Sequence, residues 1–271
     1  MTAHLPEFLR PEGPPLLSIS QRVATICLNR PSKRNRLEND DLATLLTHFA
    51  TVQADVSVLV LVLTACVNQP NPVFCAGYNV SDFEADEVGR IAFEQVPDAL
   101  EQLNAITLCA INGSVFGGAT DLALACDLRI GVHGMLLRMP AAALGLHYYP
   151  SGLRRYVARL GLQFAKRVFL TAQSMSDQEL LTAGYLDQLV APQALDAVVQ
   201  SLIQQMTCLA PLALHGMKQS LNALGDVLAL SSADVILNDI REREARCHAS
   251  DDFVEGCAAF IQRRPPCFQG R

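Results

Sequence analysis

The sequence has few charged residues and no long apolar run. Only 18 % of its 271 residues are charged, whereas about 25 % is usual, and 50 % are hydrophobic. This balance excludes intrinsic disorder, which requires low hydrophobicity and high charge, and it predicts extensive burial. The densest apolar run, Val58–Leu63, is much shorter than the ~18 residues that span a membrane, so no membrane partner is expected.

Basic residues and paired cysteines are also scarce. The chain has 21 Lys and Arg against 27 Asp and Glu, a net charge of −6, which argues against nucleic-acid binding. The first 15 residues show no signal-peptide pattern. None of the nine cysteines forms a CxxC pair, and no metal-ligand spacing occurs, so we expect no metal site. We therefore predict a reducing, cytoplasmic environment without disulfides.

The apolar pattern predicts an α/β fold. Strand-length apolar runs alternate with helical spacings up to about residue 190, which favours a largely parallel sheet. After residue 191 the pattern predicts helices only, packed on the core or on a neighbouring subunit. The chain is thus divided into an N-terminal arm (1–15), an α/β core (16–190) and a C-terminal helical region (191–271).

The predicted elements follow from apolar periodicity. The predicted strands are Leu16–Ser20, Val23–Leu28, Val56–Ala65, Val73–Ala76, Ile106–Ile111 and Leu128–Gly131. The predicted helices are Glu38–Gln53, Pro97–Leu103, Gly117–Cys126, Pro192–Met206, Pro211–Leu224, Ser232–Cys247 and Asp251–Arg263.

Two glycine-containing turns follow apolar strands. Val73–Cys75 runs into Ala76 and Gly77, which let the backbone approach a ligand and leave the N–H of Ala76 free to point at it. Later, Gly117 and Gly118 open an apolar helix, whose unpaired N–H groups suit an anion. The spacing fits neither GxGxxG nor GxxxxGK[ST], so a dinucleotide or P-loop site is not predicted.

These turns belong to a wider pattern. The matching blocks, in order, are Val23–Pro31, Phe74–Gly77, Asn112–Ile130, Ala183–Asp187 and Glu255–Pro265. With them, about residues 16–271 resemble the crotonase superfamily, also called the enoyl-CoA hydratase/isomerase family. The resemblance implies a crotonase-like ββα spiral core, an acyl-CoA thioester substrate and no cofactor other than the coenzyme A of that substrate. It also implies a homotrimer or a dimer of trimers, with the C-terminal region (191–271) mediating trimerisation.

The resemblance further implies that two backbone N–H groups, those of Ala76 and Gly118, grip the thioester oxygen. Removing a proton beside a thioester, or adding a nucleophile to its double bond, places negative charge on that oxygen. Two fixed donors in a dry site stabilise this charge, each by roughly 2.7–4 kcal/mol. The expected chemistry is therefore the formation of an enolate in a backbone oxyanion hole.

Coenzyme A binding is expected from two regions. By resemblance, Lys33, Arg34 and Arg36 lie in the loop that meets the adenosine phosphates, and a basic loop suits a polyanion. Arg36 replaces the small residue that the family pattern has there. Phe260 and Arg263 match positions that meet the adenine end from a neighbouring subunit.

The catalytic carboxylates are incomplete. By resemblance, a hydratase uses two glutamates to position and activate a water. The first maps to Asp121, which is one methylene shorter, and a misplacement of about 1 Å can cost on the order of 10²-fold in rate. The second maps to Ala141, which has no acid–base capacity. A single-carboxylate reaction, or one in which the substrate brings its own reactive group, is easier to reconcile with this pair.

Three functions therefore stay open. An enoyl-CoA hydratase/isomerase leads because that chemistry dominates the family. The second is a decarboxylase or isomerase that uses Asp121 and Tyr148. Tyr148 matches a tyrosine of the methylmalonyl-CoA decarboxylase branch that helps to hold the carboxylate, although Tyr78 and Asn79 replace the His and Asp of that branch. We expect Tyr148 to donate a hydrogen bond, since its ordinary pKa is about 10. The third is a catalytically inactive acyl-CoA-binding protein.

Overall fold

Two β-sheets organise the molecule. The computed structural model describes residues 11–79, 91–229 and 233–269. The strands of the larger sheet, in spatial order, are β1 (Leu16–Ser20), β2 (Val23–Leu28), β3 (Val60–Ala65), β5 (Ile106–Ile111), β7 (Leu128–Val132) and β10 (Gln188–Val190). Those of the smaller sheet are β4 (Val73–Cys75), β6 (Ser114–Phe116), β8 (Leu136–Arg138) and β9 (Met175–Ser176).

Helices connect these strands and form the C-terminal region. Along the core they are α1 (Asn39–Ala54), α2 (Gln95–Glu101), α3 (Ala119–Leu124), α4 (Pro150–Leu160), α5 (Leu162–Thr171) and α6 (Asp177–Thr182). The C-terminal ones are α7 (Leu195–Thr207), α8 (Pro211–Ala229), α9 (Ala233–His248) and α10 (Asp251–Gln262).

The larger sheet is mostly parallel, and its centre is buried on both faces. β1 and β2 form the predicted antiparallel hairpin, and β2, β3, β5, β7 and β10 then pair in parallel. Every residue of β3 and β5 is buried, which explains their almost continuous apolar sequences. The predicted α/β class with a largely parallel sheet is confirmed.

Element boundaries differ from the prediction where turns interrupt apolar runs. The strand predicted from Val56 begins at Val60, because residues 55–57 form a turn in which Val56 is 94 % exposed. The helix predicted from Gly117 begins at Ala119. Helices α4 to α6 have no counterpart in the prediction, since their amphipathic sequences lie between blocks with stronger signals.

The C-terminal helices lie against the core of their own chain. Helix α7 contacts β3, β5 and β7. Helix α8 is fixed by Lys218, whose Nζ donates to the carbonyl oxygen of Ala105 and contacts Asp127, each at 2.8 Å.

The domain boundaries at residues 15 and 190 and the trimerisation role of the C-terminal region stay predictions. Residues 1–10 of the arm lie outside the described residues. In the described part of the chain, no single helix is long and apolar enough to cross a membrane; helices 192–207 and 211–225 reach that apolarity only together, across a bend of 107°.

Candidate active site

The two glycine turns lie side by side. Strands β4 and β6 are parallel neighbours, with Cys75 opposite Val115, and each strand runs directly into a turn. A Cβ atom on Gly77 would lie 2.8 Å from the carbonyl oxygen of Phe116 and 3.2 Å from the nitrogen of Gly118. Gly77 also has a φ of +90°, a conformation that L side chains rarely adopt. Only glycine therefore fits at this point of close approach.

The amide of Ala76 does not face an open site. Its N–H donates to the carbonyl oxygen of Arg34 at 2.9 Å, so the expectation that this N–H is free is wrong. The cause is a short parallel pairing between the basic loop and this turn. In that pairing the N–H of Leu37 donates to the oxygen of Gly77 at 2.8 Å, and the N–H of Asn79 donates to the oxygen of Leu37 at 2.9 Å.

The next peptide group is turned the other way. Gly77–Tyr78 is a trans peptide, so its N–H points away from its C=O. Because that C=O faces Leu37, the N–H of Tyr78 is directed to the opposite side of the segment. The N–H of Gly118 has no hydrogen-bond acceptor within the described residues. The amides of Tyr78 and Gly118 lie in adjacent turns, since the nitrogen of Gly118 is 3.2 Å from a Cβ atom built on Gly77, the residue before Tyr78.

Asp121 is completely buried and is held by an arginine. Arg155 donates from Nε to Oδ1 at 3.0 Å and from Nη2 to Oδ2 at 3.1 Å, and both side chains are 0 % exposed. The hydroxyl of Tyr149 donates to Oδ2 at 2.6 Å. Three donors therefore occupy the carboxylate. This arrangement argues against the predicted role of Asp121 as catalytic acid or base, because its oxygens face protein groups.

Arg155 also binds other carboxylates. Its Nη1 donates to Glu101 at 2.7 Å and its Nη2 to Asp98 at 2.9 Å. Burial lowers the pKa of Arg155, but Asp121 and Glu101 raise it by more, so the guanidinium stays charged. Burial likewise raises the pKa of Glu101, and the surrounding arginines lower it below its ordinary value. We call this group the buried ion cluster; it comprises Asp98, Glu101, Asp121, Arg154, Arg155 and Arg159.

Two adjacent tyrosines extend the hydrogen bonds of Asp121. Tyr149 gives its only hydroxyl proton to Asp121, so the 3.0 Å bond between the two phenols must be donated by Tyr148. Burial and then the charge of Asp121 raise the pKa of both phenols well above the ordinary value, so both stay protonated. The hydrogen bond that we expect Tyr148 to donate to a ligand goes to Tyr149 instead.

Aromatic rings cover the Gly118 turn. A Cβ atom on Gly118 would lie 2.6 Å from the ring of Phe93. The ring centroid of Phe93 is 5.8 Å from that of Tyr78 and 6.2 Å from that of Tyr149. Tyr149 in turn stacks on Tyr148 at 4.2 Å. These rings place apolar surface beside the turn, and surroundings of low dielectric strengthen electrostatic interactions.

Ala141 is the first residue of a 3-10 turn, Ala141–Leu144, and is buried. As an alanine it supplies no carboxylate to the site.

The sequence analysis did not identify Arg155 and Tyr149 as site residues. The signal that could have identified Arg155 is helical spacing. Arg155 lies three residues after Gly152, so both residues are on the buried face of α4. Among the residues described, no group of three or more His, Cys, Asp or Glu side chains could hold a metal ion.

The three basic residues of the loop have different environments. Lys33 and Arg36 both bind Glu38, at 2.8 and 3.0 Å, and these hydrogen bonds lower the pKa of Glu38 to about 2. Exposed Arg34 has no carboxylate partner in the described part of the chain. It lines a surface cavity of about 200 Å³ together with neighbouring residues of two loops: Pro31, Ser32, Asn68, Gln69, Pro70, Asn71 and Val73.

The predicted adenine contacts lie at the C-terminal end of helix α10. Phe260, in the last turn of α10, is 60 % exposed, and Arg263 follows that helix with a φ of +55°. Helix α10 contacts the 3-10 turn Ala141–Leu144. Their role in binding stays a prediction that requires a second subunit.

The tyrosine pair offers a matched test of the Asp121 environment. We expect Tyr149→Phe to lower the free energy of unfolding by about 1.5–3 kcal/mol, because a buried carboxylate loses a charge-assisted hydrogen bond. Tyr148→Phe should cost about 0.5–1.5 kcal/mol, since its bond joins two neutral hydroxyls. Both variants keep the ring. Urea denaturation at equal protein concentration measures the difference, and equal losses would contradict a chain of donors that runs from Tyr148 through Tyr149 to Asp121.

Comparisons with known proteins agree with this geometry. The profile of the "Enoyl-CoA hydratase/isomerase" family matches residues 18–271. The chain is 28 % identical over 259 residues to 2,3-dehydroadipyl-CoA hydratase of Escherichia coli (strain K12), covering 94 % of this chain and 98 % of that protein. It is 30 % identical over 265 residues to enoyl-CoA hydratase domain-containing protein 2, mitochondrial, of Homo sapiens, covering 93 % and 87 %.

Solved structures share the fold. A methylmalonyl-CoA decarboxylase superposes with a TM-score of 0.85 at 23 % identity, covering 97 % of this chain and 100 % of that one. Carnitinyl-CoA hydratase from Mycobacterium avium gives a TM-score of 0.81 at 24 % identity, covering 95 % and 98 %.

The parallel sheets and the paired glycine turns thus define a crotonase-type fold. The chain belongs to the enoyl-CoA hydratase/isomerase family, whose members act on acyl-CoA. The predicted family and fold class are confirmed.

Proposed function

We propose that this protein binds an acyl-CoA thioester, stabilises its enolate with the amides of Tyr78 and Gly118, and decarboxylates thioesters that carry a carboxylate on the α-carbon. The reaction type is inferred from the hydrogen bonds that the carboxylate of Asp121 accepts. Arg155 and Tyr149 occupy its carboxylate, and Ala141 supplies no second one. Neither position therefore offers a carboxylate that is available to activate water.

Decarboxylation needs little acid–base machinery. The bond between the α-carbon and the carboxylate breaks, its electron pair moves onto the thioester carbonyl, and CO₂ leaves. A proton from water then completes the α-carbon. The charge on the carbonyl oxygen is what the two amides stabilise, by roughly 2.7–4 kcal/mol for each donor in comparable sites. The ring of Phe93 beside Gly118 favours the low-dielectric surroundings in which such donors act strongly.

Coenzyme A arrives as part of the substrate, and no separate cofactor is proposed. Arg34 is the best-placed cation for its phosphates, because it lines the surface cavity while Lys33 and Arg36 are paired with Glu38. The loop is hydrogen-bonded to the amide turn through Ala76 and Leu37, so phosphate binding and thioester placement share one rigid segment.

We also propose a homotrimer or a dimer of trimers in the cytoplasm. The C-terminal helices expose large apolar side chains that a neighbouring copy would cover; they include Leu212, Leu221, Leu224, Phe260 and Ile261. In this assembly Phe260 and Arg263 would approach the adenine end of a ligand bound to another subunit. Light scattering tests the assembly, and cell fractionation tests the location.

Enoyl-CoA hydration is the second candidate. Two similar proteins are named 2,3-dehydroadipyl-CoA hydratase and short-chain-enoyl-CoA hydratase, at 28 % and 27 % identity. For this chain to hydrate, the carboxylate of Asp121 would have to exchange its bonds with Arg155 and Tyr149 for a bond to water.

The experiment compares two reactions of one preparation. Mass spectrometry follows the loss of CO₂ from malonyl-CoA and methylmalonyl-CoA, and ultraviolet absorbance follows the hydration of crotonyl-CoA. We expect decarboxylation, retained within about tenfold in Asp121→Asn, which keeps the shape of the side chain. Crotonyl-CoA hydration by the wild type that is lost in Asp121→Asn, with circular dichroism showing that the variant is folded, would establish the second candidate. Tight acyl-CoA binding without turnover would instead indicate an inactive binding protein.

A further inference from the structure

Two thiols meet where β2 and β3 end. The sulfur atoms of Cys27 and Cys66 are 3.2 Å apart. Cys27 lies opposite Thr64 in the parallel register, and Cys66 stands two residues beyond Thr64, so both side chains project from the same face of the sheet. A disulfide has a sulfur–sulfur distance of about 2.05 Å, so the two atoms need to approach by only about 1.2 Å.

The two thiols differ in accessibility. Cys27 is 2 % exposed, and its burial, followed by its bond with Cys66, raises the pKa of its thiol. Cys66 is partly exposed. An oxidant from solvent therefore reaches Cys66 first, and Cys27 is the neighbour placed to react with the oxidised sulfur.

We propose that Cys66 and Cys27 form a modification site for peroxide-class oxidants. The thiolate of Cys66 attacks one oxygen of the peroxide, the O–O bond breaks, and Cys66 becomes a sulfenic acid while hydroxide, or the corresponding alkoxide, leaves. The sulfur of Cys27 then attacks the sulfur of Cys66, a disulfide forms, and the sulfenic oxygen leaves as water with the proton of Cys27. Two thiols are oxidised and one peroxide is reduced by two electrons.

This bond would act on the basic loop through Asn35. The side-chain amide of Asn35 donates to the carbonyl oxygen of Cys66 at 2.7 Å, and its Oδ1 accepts from the N–H of Arg30 at 2.8 Å. Asn35 is 1 % exposed and has a φ of +51°, so it has little freedom to follow a movement of Cys66. Resting on the proposed function, disulfide formation should weaken acyl-CoA binding about fivefold to tenfold, as expected when a buried hydrogen bond is lost.

Peptide mapping tests the disulfide directly. Trypsin releases residues 23–33, which contain Cys27, and residues 37–90, which contain Cys66 and Cys75. After treatment with hydrogen peroxide and blocking of the remaining thiols, a non-reducing digest should contain these two peptides joined, with the loss of two hydrogen atoms.

Two serine variants show which cysteine of the peptide 37–90 forms the disulfide with Cys27. The joined peptide should vanish in Cys66→Ser and persist in Cys75→Ser, because the thiol of Cys75 donates to the carbonyl oxygen of Asn35 instead. Wild-type protein that shows only sulfinic or sulfonic acid at Cys66, without the joined peptide, would overturn the proposal. So would a joined peptide that survives Cys66→Ser.

Acyl-CoA binding is measured separately on the reduced and oxidised wild type and on Cys66→Ser. Weaker binding by the oxidised wild type, with no change in treated Cys66→Ser, supports the link through Asn35. Equal binding by both wild-type forms overturns that link. Reduced protein that binds no acyl-CoA would refute the proposed function, while the joined peptide would still decide the thiol chemistry.

Discussion

Replacing Arg155 with methionine is expected to lower the free energy of unfolding by about 3–5 kcal/mol. The guanidinium is 0 % exposed and contacts Asp98, Glu101 and Asp121. Methionine fills much of the volume but leaves Asp121 as a buried charge without its counter-ion. The cost arises from that unpaired charge rather than from a cavity. Urea denaturation at fixed protein concentration measures the change.

Arg154 provides the matched control. It is the preceding residue on α4, it also binds Glu101 at 2.8 Å, and its side chain is 21 % exposed. Arg154→Met should therefore cost no more than about 1 kcal/mol, as for other solvent-accessible ion pairs. Equal destabilisation by Arg154→Met and Arg155→Met would contradict the difference in burial between the two arginines.

Replacing Gly118 with proline is expected to reduce kcat/KM for the thioester substrate about 10²–10³-fold relative to Gly118→Ala. Proline removes the backbone N–H, whereas alanine keeps it, and both introduce the Cβ that meets the ring of Phe93. Gly118 has a φ of −55°, which proline can adopt. The comparison therefore separates the loss of the amide proton from the effect of the shared Cβ atom.

Steady-state decarboxylation of malonyl-CoA or methylmalonyl-CoA by the two variants gives this ratio. Circular dichroism and the affinity for coenzyme A itself should match between them, because neither substitution changes Arg34 or a residue that lines its cavity. Equal kcat/KM values would show that the N–H of Gly118 does not stabilise the transition state, and the proposed enolate chemistry would then fail.

The fold was predictable in segments whose apolar pattern is compatible with only one kind of secondary structure. Ile106–Ile111 is strand β5 as predicted, since a continuous apolar run between turns suits a strand covered on both faces. Prediction failed at Val56, which is apolar yet 94 % exposed, because the turn at residues 55–57 overrides local hydrophobicity. It also failed at α4, whose buried face includes the charged Arg155.

The candidate site was predictable only at the level of segments. The glycine turns near residues 77 and 118 were identified and do converge. The particular amide was wrong at Ala76, because the direction of an N–H depends on the hydrogen bonds of a distant loop. Arg34 takes that N–H, although 42 residues of sequence separate the two positions.

By itself, the sequence determined the alternation of strands and helices, because that depends on local periodicity. The matching blocks carried the resemblance to the family, and that resemblance implied that Ala141 stands where a second carboxylate is expected. The tertiary structure alone decided the surroundings of Asp121. Its carboxylate accepts hydrogen bonds from Arg155 and Tyr149, which approach it only after α3 and α4 pack together. A carboxylate can serve as a base in one environment and as half of a buried ion pair in another, and this environment is created by folding.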